Sequence, residues 1–257
     1  MIIDSHVHVV VGNPAYRRNL DVEELVAKLD AAGVAKAVIV QSRSGNGLDN
    51  AYPAECAARF AKRFVVVCAV DALSPGAADL MRKRVHEWNS RGCRLFVDDW
   101  DPVEPRFDPL WECAADLDMP ILLAGKVPLR GVGKVLSRFP ALNLVLDHVG
   151  NVELKRGLPG ELLELAVHPN LVVKFSSHNI EDCRVADLSA QAFVSQLVSC
   201  FGAGRLLWGS NYPASHEPEW PYDGCVDAAR RLLAPLPASD RESVLCNTAM
   251  RLWPELG

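Results

Sequence analysis

The chain has 257 residues, 49% hydrophobic and 23% charged, with a net charge of −5 at pH 7. That length can bury a large core, and without long basic runs nothing favours nucleic acid or an anionic membrane surface as a partner. No stretch approaches the ~20 apolar residues of a spanning helix, and no basic region leads an apolar one at the start, so a cytoplasmic protein with a small-molecule substrate is expected.

The elements alternate along the chain. "MIIDSHVHV" reads as a first strand, and "DVEELVAKLDAAGV" follows it with helical spacing and Gly33 as a stop. Next come a strand at 36–41, a helix near 49–62, a strand at 64–71, a charged helix near 76–90 and a strand at 92–97. A helix at 109–118, a strand at 120–125, a short helix ended by Pro140 and a strand at 143–150 continue the pattern. A helix near 160–167, a strand at 171–178, a helix at 189–202, a strand at 205–213 and helices near 223–234 and 239–252 complete it. Continuous Val, Ile and Leu strands imply burial on both faces, as in a parallel sheet. Strict alternation over this length predicts one α/β domain, residues 1–257, folded as a single (β/α)8 TIM barrel, regular or distorted. A doubly wound sheet would want a glycine-rich first turn, and "HVHVVVGNP" has no GxGxxG. The eight cysteines form no CxxC pair and lie mostly in apolar text, which predicts reduced, buried thiols.

Barrel enzymes place their chemistry at the C-terminal ends of strands. Alternation puts Asp4, His6 and His8 on one face of the first strand. Such a pair of imidazoles is either hydrogen-bonded structure or half of a metal or general-base site. His148 ends "NLVLDHVG", sharing a face with Leu144 and Leu146 while Asp147 takes the other. "LVVKFSSH" puts Lys174, Ser176 and His178 together, and a Lys within so apolar a strand needs a partner. Arg94, Phe96 and Asp98 share a face in "GCRLFVDDW". His86, His168 and His216 fall in helix or loop text and read as surface residues.

The text "IIDSHVHV", "GCRLF", "LSRFPALNLVLDHVG", "LVVKFSS", "LLWGSNYP" and "ESVLCNTAMRLW" resembles, in order, the amidohydrolase 2 branch of the amidohydrolase superfamily. That branch holds sugar and dicarboxylate lactonases and decarboxylases of the aminocarboxymuconate semialdehyde type. The resemblance implies that His6 and His8 bind a divalent metal or, in metal-independent members, the substrate. It makes His148 a third ligand or a substrate contact, and His178 an acid or base. The eighth strand of the family usually carries Asp as ligand and general base. Asn211 stands there here, and an amide can be neither a base nor a charged ligand. Related lactonase-like sequences carry Asn too. After "PILLAG" some relatives have a histidine where this chain has Ala124-Gly125-Lys126, so at most one metal is implied. Three imidazoles suit zinc, with manganese an option and a metal-free site another.

Arg94, Lys126 and Lys174, with Arg130, are the candidates for holding substrate, Arg through its bidentate fork. Tyr16, Arg17, Arg18, Trp100 and Trp220 are candidates for shaping the pocket. The implied function is hydrolysis of a lactone or related carboxylate-bearing ring ester, with His178, His148 and Asn211 at the chemistry. A non-oxidative decarboxylase and an inactive binding barrel stay open beside it. Relatives are often dimers, so a homodimer is allowed.

Overall fold

The eight Val-, Ile- and Leu-rich runs form eight parallel strands, paired in chain order. A computed structural model describes residues 1–13, 19–98, 100–154, 157–213 and 221–257. Tyr16, Arg17, Arg18, Asp99, His216 and Trp220 lie outside the described residues. The strands are β1 (Ile3–Val7), β2 (Lys36–Val40), β3 (Phe64–Ala69), β4 (Cys93–Phe96), β5 (Ile121–Ala124), β6 (Leu144–Leu146), β7 (Leu171–Ser176) and β8 (Leu206–Gly209). The described helices are α1 (Val22–Ala32), α2 (Arg43–Asn46), α3 (Ala51–Arg59), α4 (Ala77–Trp88), α5 (Asp108–Asp116) and α6 (Leu129–Arg138). They continue as α7 (Gly160–Glu164), α8 (Ser177–Val185), α9 (Ala190–Phe201), α10 (Tyr222–Leu233), α11 (Ala238–Glu242) and α12 (Thr248–Leu252).

The sheet closes on itself just beyond β8. Asn211 N–H donates to His6 O and His8 N–H to Tyr212 O, both at 2.8 Å. Ser5 Oγ donates to Trp208 O at 2.6 Å. The approach is tight: a Cβ on Gly209 would lie 2.5 Å from the Cβ of His6, so only glycine fits where the eighth strand meets the first. The result is the expected (β/α)8 barrel.

Residues two apart on a strand share a face. Ile3, Val38, Val65, Leu122, Val145, Val172 and Leu207 fill the barrel. Their alternates, such as Val66, Leu95, Leu123, Leu146 and Val173, pack in the larger cluster that includes the helices. Cys246, Ala249, Leu252 and Trp253 from the C-terminal segment join the inner cluster and form its floor. Trp253 Nε1 anchors there by donating to Arg91 O at 2.9 Å. The barrel is therefore packed from below, and its polar residues collect at the other end. No helix among the described residues is long and apolar enough to cross a membrane.

Three expected faces are corrected by the local backbone. The register of β1 shifts between Asp4 and Val7, so Asp4 does not share the face of His6 and His8. Asp4 points outward, where Tyr222 of α10 donates its hydroxyl at 3.1 Å. In β6 it is Val145 that enters the barrel, so simple alternation carries Asp147 inward rather than His148. His148 (φ 52°), Val149 (φ 57°) and Gly150 (φ 71°) then take left-handed conformations, which turn His148 back over the opening. Finally, β7 stops at Ser176, and His178 is the second residue of α8 rather than the end of a strand. A capping box between Ser176 and Asn179 starts that helix, with Asn in the place usually held by Glu or Gln.

Candidate active site

At the centre stands a buried charge cluster. Lys174 reaches up from mid-strand and is 0% exposed. Burying an ammonium costs several kcal/mol unless it is paired. Its Nζ lies 2.9 Å from Asp147 Oδ1, while Arg94 Nε lies 2.9 Å from Asp147 Oδ2. Arg94 also donates through Nη1 to Gln41 O at 2.8 Å. Burial alone would raise the Asp147 carboxyl, but the Lys174 ammonium and the Arg94 guanidinium hold it well below the usual range. Two cations share one carboxylate, so the cluster carries a net charge of +1.

Three imidazoles sit above it. The ring of His6 lies 4.8 Å from those of both His8 and His148, centroid to centroid. Burial, first of all, keeps them neutral: His8 is lowered to about 4, His148 to about 3 and His6 well below its usual value. Their tautomers follow from their partners. Lys174 Nζ is 3.3 Å from His6 Nδ1, nearer than Asp147 at 3.5 Å. An ammonium only donates, so Nδ1 accepts and the ring proton sits on Nε2. That Nε2 is buried and has no hydrogen-bond partner among the described residues. His8 Nδ1 donates to Val40 O at 2.7 Å, which leaves a lone pair on Nε2. Asn211 Oδ1 lies 3.1 Å from that atom; two acceptors cannot pair, so the amide belongs the other way round, with its NH2 facing the ring. His148 Nδ1 lies 2.8 Å from Ser176 Oγ. Ser176 can pass its own proton to Asn179 Oδ1 at 3.5 Å, and Asn179 Nδ2 donates to His148 O at 3.0 Å. With every member satisfied, His148 presents a lone pair on Nε2.

Asp4 fastens this layer from outside. Its Oδ1 accepts from His6 N at 3.0 Å and from Ser210 N at 2.9 Å, tying β1 to the segment bearing Asn211. Burial raises its carboxyl to about 6 despite those bonds. On the rim, His178 stands half-exposed 3.9 Å from Asp182, its ring 5.7 Å from that of His148. His178 and Asp182 border a cleft of about 490 Å³ with Asn151, Leu154 and Val185.

Of the substrate-holding candidates, Arg94 and Lys174 belong to the cluster. Lys126 is exposed beyond β5, and Arg130 on α6 pairs with Glu161 at 3.0 Å. Trp100 packs on Phe107 and Trp111 in the core. Burial raises the thiols of Cys56, Cys68 and Cys183 to about 11, the wrong direction for a nucleophile. Sequence reasoning missed Asp147, which alternation on β6 could have found.

The amidohydrolase family profile matches residues 3–254. An L-fucono-1,5-lactonase from Burkholderia ambifaria is 32% identical over 208 residues, covering 76% of this chain and 69% of that protein. A candidate 2-pyrone-4,6-dicarboxylic acid hydrolase from Pseudomonas putida superposes with a TM-score of 0.82 at 24% identity, over 99% of this chain and 97% of that one. An amidohydrolase from Burkholderia multivorans with bound zinc superposes at 0.78 and 24% identity, over 99% of each chain.

Zinc in that structure raises the question of a resident ion here. Among the described residues no three His, Cys, Asp or Glu side chains are disposed to hold one. The charges agree. Asp147 is already neutralised by two cations, and the amide of Asn211 offers no second carboxylate. A dication would enter a buried cluster that is already positive. The residues present do not fit a resident divalent metal, and no chemistry is assigned to one. Protein purified without tag or chelator is expected to hold well under one zinc or manganese per chain. Near-stoichiometric metal, lost in both His6→Ala and His8→Ala, would overturn this.

Proposed function

The chain belongs to the amidohydrolase family and is a hydrolase, and from that premise we propose that it is a lactonase, opening a small ring ester with water. One observation carries the reading: the buried Nε2–H of His6, without a hydrogen-bond partner among the described residues, above a cluster of net charge +1. A buried donor without an acceptor costs about 1–3 kcal/mol. A lactone carbonyl oxygen accepts that hydrogen bond, and the oxyanion formed when water adds accepts it more strongly. Lys174 and Arg94 add their field at the same point. Interactions that strengthen as charge develops accelerate the step rather than merely tightening binding.

His148 takes a proton from the attacking water at its Nε2 lone pair as the water adds to the carbonyl carbon, with Ser176 fixing the ring. His178, half-exposed beside Asp182, delivers a proton to the departing ring oxygen. Asn211 orients His8. The 32% identity to a sugar lactonase supports the same reaction class.

The test is a panel of sugar lactones and carboxylate-bearing ring lactones, followed by acid release. His6→Asn is expected to lower kcat by ~10²–10³, and His148→Asn by ~10²–10⁴, with circular dichroism unchanged. Absence of any ring opening overturns the proposal. CO2 release from unsaturated dicarboxylates would then mark a decarboxylase, and neither activity a binding barrel.

A further inference from the structure

We propose that Arg43, beside Phe96, is the specificity residue of this site and takes the carboxylate of an anionic lactone in exchange for Asp98. The proposal rests on the lactonase reading for its substrate, though not for its binding test. Arg43 opens α2 directly after β2, where Ser42 accepts from Gly45 N–H at 3.1 Å. Its guanidinium lies 4.3 Å from the centroid of Phe96, and that of Arg94 lies 5.1 Å from the same ring. Phe96 follows Arg94 by two residues on β4, so it shares that face one step nearer the mouth. One aromatic ring thus joins the buried cation to an outer one.

Arg43 is ion-paired to Asp98, and the two side chains are 52% and 46% exposed. A pair that open to water contributes little to stability. An incoming carboxylate can therefore displace Asp98 at little cost, and a two-pronged Arg–carboxylate contact shielded by substrate is stronger. Asp98 Oδ1 also lies close to Gly125, 2.7 Å from where a Cβ there would stand. The charges favour the exchange. Arg43, Arg94 and Lys174 stand against Asp98 and Asp147, leaving one positive charge that a substrate carboxylate neutralises. A neutral lactone leaves the Arg43–Asp98 pair intact and gains nothing from it.

Two lactones with the same ring, one bearing a free carboxylate and one its methyl ester, provide the test. The wild type is expected to prefer the carboxylate in kcat/KM by tenfold or more. Arg43→Gln should cut that preference at least tenfold, through KM, and Arg43→Lys should restore part of it. Asp98→Asn should raise the preference by removing the competing carboxylate. An equal loss on both lactones in Arg43→Gln, or an unchanged or lower preference in Asp98→Asn, overturns the proposal. If neither lactone is opened, the lactonase reading fails by itself. Arg43 is then judged by calorimetry with malate, a hydroxydicarboxylate of the product type. Binding weakened tenfold or more in Arg43→Gln supports the proposal. Equal binding, or none to the wild type, overturns it.

Discussion

Asp147→Asn is expected to destabilise the protein by about 3–5 kcal/mol, the range for removing one partner from a buried ion pair. The substitution keeps the shape but leaves Lys174 and Arg94 facing each other without a counter-charge. Lys174→Met should be much milder. It leaves Arg94 and Asp147 as a neutral pair, and a flexible apolar chain of similar length replaces the ammonium above Trp253. The double variant should recover part of the loss, because only Arg94 then remains charged. Urea denaturation of the three proteins and the wild type measures the order. Equal losses for the two single variants would show that the cluster does not carry the charge assigned to it. Folded Lys174→Met should still lose activity, by ~10²–10³ in kcat, since the field at the oxyanion goes with it.

Stability is expected to fall steeply as pH drops from 6.5 to about 4.5. Unfolded histidines take up protons near pH 6.5. In the native state burial holds His8 down to about 4, His148 to about 3 and His6 well below its usual value. Across that window the protons bound by the unfolded chain but refused by the folded one rise from about one and a half at pH 6.5 to nearly three by pH 5.5, which favours unfolding as pH falls. Asp4 acts in the opposite direction. Its carboxyl titrates at about 6 when folded and near 3.8 when unfolded, so between those values the native state holds one extra proton. The difference is about two protons near pH 5, or roughly 3 kcal/mol per pH unit. Asp147, held low, adds its own loss only below about pH 3.8. Denaturation curves at pH 7.5, 6.5, 5.5 and 5.0 measure the slope. A flat profile would show that the imidazoles are not buried and neutral. His8→Gln should remove about one proton from the slope, whatever it does to activity.

Much of this molecule was legible before any coordinates. The apolar runs name all eight strands, because a strand buried on both faces must be apolar throughout. Four histidines at the ends of those runs point to the mouth, and the resemblance orders them. Lys174 announces that a counter-charge must exist, since no lysine enters a barrel unpaired. Which carboxylate answers it depends on side-chain parity, and parity is a property of the folded backbone. A register shift in β1 sends Asp4 out to Tyr222, and left-handed residues after β6 bring His148 back beside Asp147. A helix starting at Ser177 moves His178 to the rim.

The lone pairs were equally hidden. Whether His6 offers a proton or accepts one is decided by Lys174, 168 residues away, and the state of His8 by Val40 and Asn211. Composition and periodicity determined the barrel, because burial is a property each residue carries along the chain. The charge balance of the site, its poor fit to a dication and the pairing of Arg43 with Asp98 were decided by tertiary structure alone. Electrostatic energy depends on distances between residues that the sequence leaves far apart.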